Sequence, residues 1–274
     1  RYSCTCPADK PCKHIGAHNV VVTDAFGCSH TQGFDVGSPA PLGLTLSPSI
    51  LPFGQNIACN GASTGTIGLS IAGGTGPYTT QWSGPNGFTS SNQNLTGLAA
   101  GSYNVSVTDA NGCNATGGFT LVQSAPLVAS ISDVQHAACA GSTNGSATAS
   151  IVGGMPPYSF TWNSAPPQSS ATANGMGAGN YTVTIADGYN CTVQAEVTIN
   201  APAQALSVEI TATADVLCHD GLQGSAQAQA IGGTAPYFYS WNTSPVQLAS
   251  TAIGLAQGTY SVSVIDANGC TAQA

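Results

Sequence analysis

Gly101-Ser102-Tyr103-Asn104-Val105-Ser106-Val107-Thr108-Asp109-Ala110-Asn111-Gly112-Cys113 is the stretch that decides the fold of this chain. Tyr103, Val105 and Val107 alternate with polar residues, the period of two that gives a half-buried strand one apolar and one wet face. Asp109-Ala110-Asn111-Gly112 then carries hairpin-turn chemistry, and Cys113 begins the returning strand. Leu98-Ala99-Ala100 leads into it, so the segment reads Leu-x-x-Gly-x-Tyr before a Val-x-Val strand. A corner tyrosine in that position belongs to two-sheet sandwiches of the immunoglobulin and fibronectin type.

The segment recurs. Tyr103, Tyr181 and Tyr260 lie 78 and 79 residues apart, as do Cys113, Cys191 and Cys270. Upstream, Trp82, Trp162 and Trp241 are 80 and 79 apart, and Tyr78, Tyr158, Tyr237 and Cys59, Cys139, Cys218 keep the same spacing. Each Tyr of the earlier set closes a Gly/Pro turn, beginning at Gly73-Gly74, Gly153-Gly154 or Gly232-Gly233. Paired glycines supply positive φ, and proline pre-sets the turn. Five landmarks in one order, three times over, define a tandem repeat.

A fourth, partial copy opens the chain. Asn19-Val20-Val21-Val22-Thr23-Asp24-Ala25-Phe26-Gly27-Cys28 matches the run from Asn104 to Cys113, with His18 in the corner position. The expected organisation is a variant Cys-rich part-repeat over 1–38 and Ig-like repeats over 42–124, 127–200 and 205–274. Only Thr271 to Ala274 follow Cys270. The third repeat is therefore expected to lack its last strand or to take it from continuation or from another chain. Strand donation would link copies head to tail. The fold class is all-β, tandem immunoglobulin/fibronectin-III-like sandwiches.

Composition restricts the partners. Charged residues are 5% of the 274, and Arg1, Lys10 and Lys13 are the only cations. A chain with no cationic stripe is a poor partner for nucleic acid or an anionic membrane surface. No apolar run approaches the roughly 20 residues of a spanning helix, so no membrane insertion is expected. Ten cysteines at regular positions point to an oxidising compartment.

The combined pattern Cys…Gly-Gly-x-x-Pro-Tyr…Trp…Leu-x-x-Gly-x-Tyr-x-Val-x-Val-x-Asp-x-x-Gly-Cys resembles the SprB repeat. That resemblance covers residues 42–274 and the fragment 14–37. It implies a role in surface adhesins of gliding and related Bacteroidota, exported by type IX secretion, and brings no catalytic residues. The expected function is a structural stalk or filament module of a cell-surface adhesin, not an enzyme and without cofactors. The alternative is a glycan- or protein-binding module of a secreted protein. Candidate partners are further copies of the repeat or chain and surface glycans.

Three kinds of candidate site stand out. In-repeat disulfides Cys59–Cys113, Cys139–Cys191 and Cys218–Cys270 would close loops of similar length. These in-repeat bonds are the expected pairing; under a strict fibronectin-like topology the two loops lie at opposite ends, and the alternative is Cys59–Cys191 and Cys139–Cys270. Cys4, Cys6, Cys12 and Cys28 are expected to form two further bridges. Zinc on Cys4, Cys6, Cys12, His14 and His18 is the lesser reading, because Cys-x-Cys is short for that metal. The turns at Asp24, Asp109, Asp187 and Asp266 offer one carboxylate each, too few for calcium, and read as Asx turns. Asn94, Asn104, Asn114, Asn144, Asn180, Asn190 and Asn242 stand in Asn-x-Ser/Thr triplets, candidates for glycosylation. Pro166-Pro167-Gln168 is the one loop singled out as a possible recognition feature.

Overall fold

The computed structural model describes residues 18–35, 37, 39–217 and 221–274. It divides into two compact units, Arg1–Pro126 and Leu127–Ala274. Among the described residues no helix is long and apolar enough to cross a membrane.

In the first unit, β1 (His18–Thr23) and β2 (Ser29–Phe34) form an antiparallel hairpin. Then follow β3 (Gly43–Pro48), β4 (Gly65–Ala72), β5 (Thr79–Ser83), β6 (Thr89–Ser90), β7 (Leu95–Leu98), β8 (Gly101–Thr108) and β9 (Asn114–Leu121). Strands β3-β4-β7 make one sheet and β6-β5-β8-β9 the other. The alternation read in Tyr103–Val107 is realised: Tyr103, Val105 and Val107 are buried, while Asn104 faces solvent. They meet Ile67, Leu69 and Leu95 of the facing sheet around Trp82.

The second unit repeats the plan twice. Strands β10 (Val128–Gln135), β11 (Gly145–Val152) and β13 (Thr172–Met176) face β12 (Ser159–Trp162), β14 (Gly179–Ala186) and β15 (Thr192–Ile199). Next, β16 (Ser207–Ala214), β17 (Gly224–Ile231) and β19 (Thr251–Leu255) face β18 (Phe238–Trp241), β20 (Val262–Ile265) and β21 (Thr271–Gln273). Here Ala147, Ala149 and Ala173, then Ala226, Ala228 and Ala252, stand where the first sandwich has Ile67, Leu69 and Leu95. Small residues opposite Trp162 and Trp241 let the sheets close on the indole at native packing density. The fold is all-β and immunoglobulin-like, as expected from the repeat.

The third sandwich is more complete than the sequence suggested. Its last strand is present as β21, with Ile265 opposite Thr271 and Ser263 opposite Gln273. Ala274 adds a reciprocal backbone pair with Val262. β21 is three residues long where β9 and β15 have eight. β20 begins at Val262, whereas β8 and β14 begin at Gly101 and Gly179. Leu121 and Ile199 reach over Gly65 and Gly145, while the nearest atoms to Gly224 are those of Leu255.

Candidate functional site

The recurring chemistry gathers at one end of each sandwich, where the turn between the last two strands meets the Gly-Gly loop. The Asp109 Oδ1 accepts from the backbone N–H of Asn111 at 2.9 Å and of Cys113 at 2.8 Å, and Oδ2 accepts from Thr75 N–H at 3.0 Å. Asp187 does the same with Tyr189, Cys191 and Met155, and Asp266 with Asn268, Cys270 and Thr234. In the opening hairpin, Asp24 accepts from Phe26 and Cys28. These are Asx turns, and in the three sandwiches they also clasp the neighbouring loop. The close approach explains the second glycine. Gly233 has φ +61, and a Cβ there would lie 2.7 Å from the Asp266 carboxylate.

Three backbone N–H donors on one buried carboxylate have an electrostatic consequence. Burial by itself would raise the pKa of Asp109, but the bonds from Cys113, Thr75 and Asn111 outweigh it and hold the carboxyl below the ordinary value. Asp266 is lowered in the same way, burial being overcome by Cys270, Thr234, Asn268 and Gly269. Asn190 takes the place in the Asp187 turn that Gly112 and Gly269 occupy in theirs, with φ +61. Asparagine is one of the few residues that tolerate it.

The aromatic landmarks are likewise engaged. Trp82, Trp162 and Trp241 are buried, and each indole N–H donates to a backbone carbonyl, of Asn92, Ser170 and Ala249 respectively. The hydroxyls of Tyr103, Tyr181 and Tyr260 donate to the carbonyls of Ala99, Gly177 and Ala256, the corner contact expected from the motif. Those of Tyr78, Tyr158 and Tyr237 donate to Gly73, Gly153 and Gly232 at 2.7 Å.

The disulfides correct the in-repeat reading. Cys139 is bonded to Cys270, 131 positions away, with Cα atoms 5.8 Å apart. This excludes Cys139–Cys191 and Cys218–Cys270. Cys59 and Cys191 are disulfide-bonded too. The reason is the one that sandwich topology supplies. Cys139 follows β10 in a loop held against the end of β15, where Ala137 N–H donates to the Asn200 carbonyl and Asn200 N–H to His136 Nδ1. That is where the chain leaves the second sandwich. Cys270 ends the Asp266 turn, beside the loop in which Gly233 N–H donates to the Gln204 carbonyl, where the chain enters the third. The bond therefore spans the joint between consecutive sandwiches, and Asn268 Nδ2 donating to the Ala138 carbonyl at 3.0 Å braces it.

Cys28 carries a free, exposed thiol, so the expected two bridges among Cys4, Cys6, Cys12 and Cys28 do not both form. Cys4, Cys6, Cys12, His14 and Cys218 lie outside the described residues. No group of three or more metal-ligating side chains occurs among the described residues. Asn94, Asn104, Asn114, Asn144, Asn180, Asn190 and Asn242 are all exposed.

Pro166-Pro167-Gln168 is not peculiar to one repeat. Gln168 pairs its side-chain amide with the backbone of Asn174 in both directions, at 2.8 and 2.9 Å. Gln247 clamps Ile253 in the same way. Asn163 and Asn242, just after the tryptophans, accept from Thr182 and Ser261 N–H. The shared Asn-x-x-Pro-x-Gln spacing at Asn242, Pro245 and Gln247 was the sequence signal for this device.

Comparison with known proteins agrees with the repeat. The chain carries three matches to the SprB repeat, over residues 55–87, 131–166 and 210–246. No curated protein sequence matches it. Similar solved structures include three N-terminal domains of the bacteriophage RB49 highly immunogenic outer capsid protein, at 11% identity and TM-score 0.38, covering 85% of this chain and 96% of that one. A tetra-tandem repeat from the extending region of a large adhesion protein matches at 16% identity and TM-score 0.30, covering 94% and 80%. The N-terminal eight Ig domains of Down syndrome cell adhesion molecule match at 12% and 0.33, covering 94% and 37%.

Proposed function

We propose that this chain, three of whose segments are SprB repeats, is an extracellular, cell-surface spacer of an adhesin: a stalk whose work is mechanical continuity. One observation carries the reading. The side chains that recur in every repeat are consumed by holding the repeat together. Each carboxylate of the Asp109, Asp187 and Asp266 turns is spent on three backbone N–H groups, each indole on a carbonyl, and each corner hydroxyl on another. Repetition of such units in series multiplies length and cohesion rather than chemistry. Disulfides and a surface solubilised by Ser, Thr and Asn suit the outside of a cell.

The test is antibody labelling of intact, unpermeabilised cells of the source organism. Surface fluorescence that permeabilisation does not increase is the expected result. Signal that appears only after permeabilisation overturns the proposal.

A further inference from the structure

We infer that the Cys139–Cys270 bridge is a tension bypass: pull applied along the chain between Leu127 and Ala274 travels through β10, the disulfide and β21, and spares residues 140–269, which hold every buried residue of the two cores except Ala137. The connectivity leaves load no shorter covalent route. It enters at Leu127, runs to Cys139, crosses to Cys270 and leaves through Thr271–Ala274. Residues 140–269 hang from this path as a closed loop. They include β11 to β20, the Trp162 and Trp241 cores and the joint itself.

The path has little slack. β10 and β21 are already extended strands, whose rise of about 3.3 Å per residue is close to the limit of a stretched chain. A small reserve sits in the irregularity between Ser132 and Gln135, where Asp133 takes φ +48. β10 is loaded along its own axis while its partner β11 carries nothing, so the register from Val128↔Val152 to Gln135↔Ser146 is not forced apart. The in-repeat bonds Cys139–Cys191 and Cys218–Cys270 would act differently. Each would protect one loop and leave the joint and the outer strands to unravel. A bond across the joint ties two sandwiches in one step, which explains why the two cysteines stand at facing ends of consecutive repeats.

This device rests on the stalk reading for its use and on bond connectivity for its physics. The experiment separates the two. The full oxidised chain is held in an optical trap by an azide-bearing residue at the exposed Ala125 and by a C-terminal tag. Wild type should show no unfolding step between the handles. A C139S/C270S chain should lengthen by roughly 450 Å, the 131 positions at about 3.5 Å each. Should that variant fold poorly, adding a phosphine reductant to trapped wild type must release the same length. Unfolding steps of that size in oxidised wild type, or no release on reduction, overturn the bypass. Either result leaves the surface-labelling test of the stalk untouched.

Discussion

The Asp of the last turn is the most connected polar residue of the repeat. Asp266 is nearly buried, yet Oδ1 and Oδ2 between them satisfy three backbone donors from two loops. Because its folded pKa lies below the unfolded value, its stabilisation is complete above about pH 4 and is lost as pH falls through the folded pKa. Asp109 obeys the same sign. Asp266→Asn keeps the two bonds to one oxygen but turns an N–H donor toward the Thr234 N–H. The variant should melt below wild type at pH 7, and the gap should narrow as pH drops below 4. Thermal melts at a series of pH values check this, and a gap that stays constant into acid would refute the electrostatic account.

At the scale of the element, the strand after the tryptophan is finished by a side-chain clamp rather than by a longer ladder. β18 ends at Trp241, whose N–H donates to the Gln247 carbonyl, and the Gln247 amide then binds Ile253 on β19. The clamp thus joins the two sheets at their edge, as Gln168 does in the second sandwich. Gln247→Ala removes two hydrogen bonds to backbone, about 1 to 2 kcal/mol together. Hydrogen exchange at the Ile253 amide should accelerate, while the amide of Val264, in the sheet centre, keeps its protection. Equal acceleration at both would mean global unfolding instead of a local clamp.

For the whole molecule, the near absence of cations matters more than any single contact. Arg1, Lys10 and Lys13 are the only trypsin positions, so even the reduced, unfolded chain should keep residues 14–274 as one fragment. A single large band after digestion in denaturant is the expected gel. In the native state, resistance should extend to proteases of broader specificity, because opening either sandwich of the second unit exposes chain still tethered by Cys139–Cys270. Reduction should shorten survival in such a protease, and unchanged survival would deny the bridge a protective role.

The sequence by itself determined the strands, the repeat and the buried set. Period-two alternation marks Tyr103, Val105 and Val107 wherever they fold, and the tryptophan and corner tyrosine recur at fixed spacing. It also determined the Asx turns, since an Asp two and four residues before free N–H groups bonds locally. Its failures are the contacts between segments far apart in sequence. The positions of Cys59, Cys113, Cys139 and Cys191 could not say which thiols meet, because closing a loop of 131 positions instead of an in-repeat one costs only about 1 kcal/mol more. Tertiary structure decided it: antiparallel strands send the loop of Cys139 to the exit of the second sandwich and the turn of Cys270 to the entry of the third. Only there do the two sulfurs come within bonding reach.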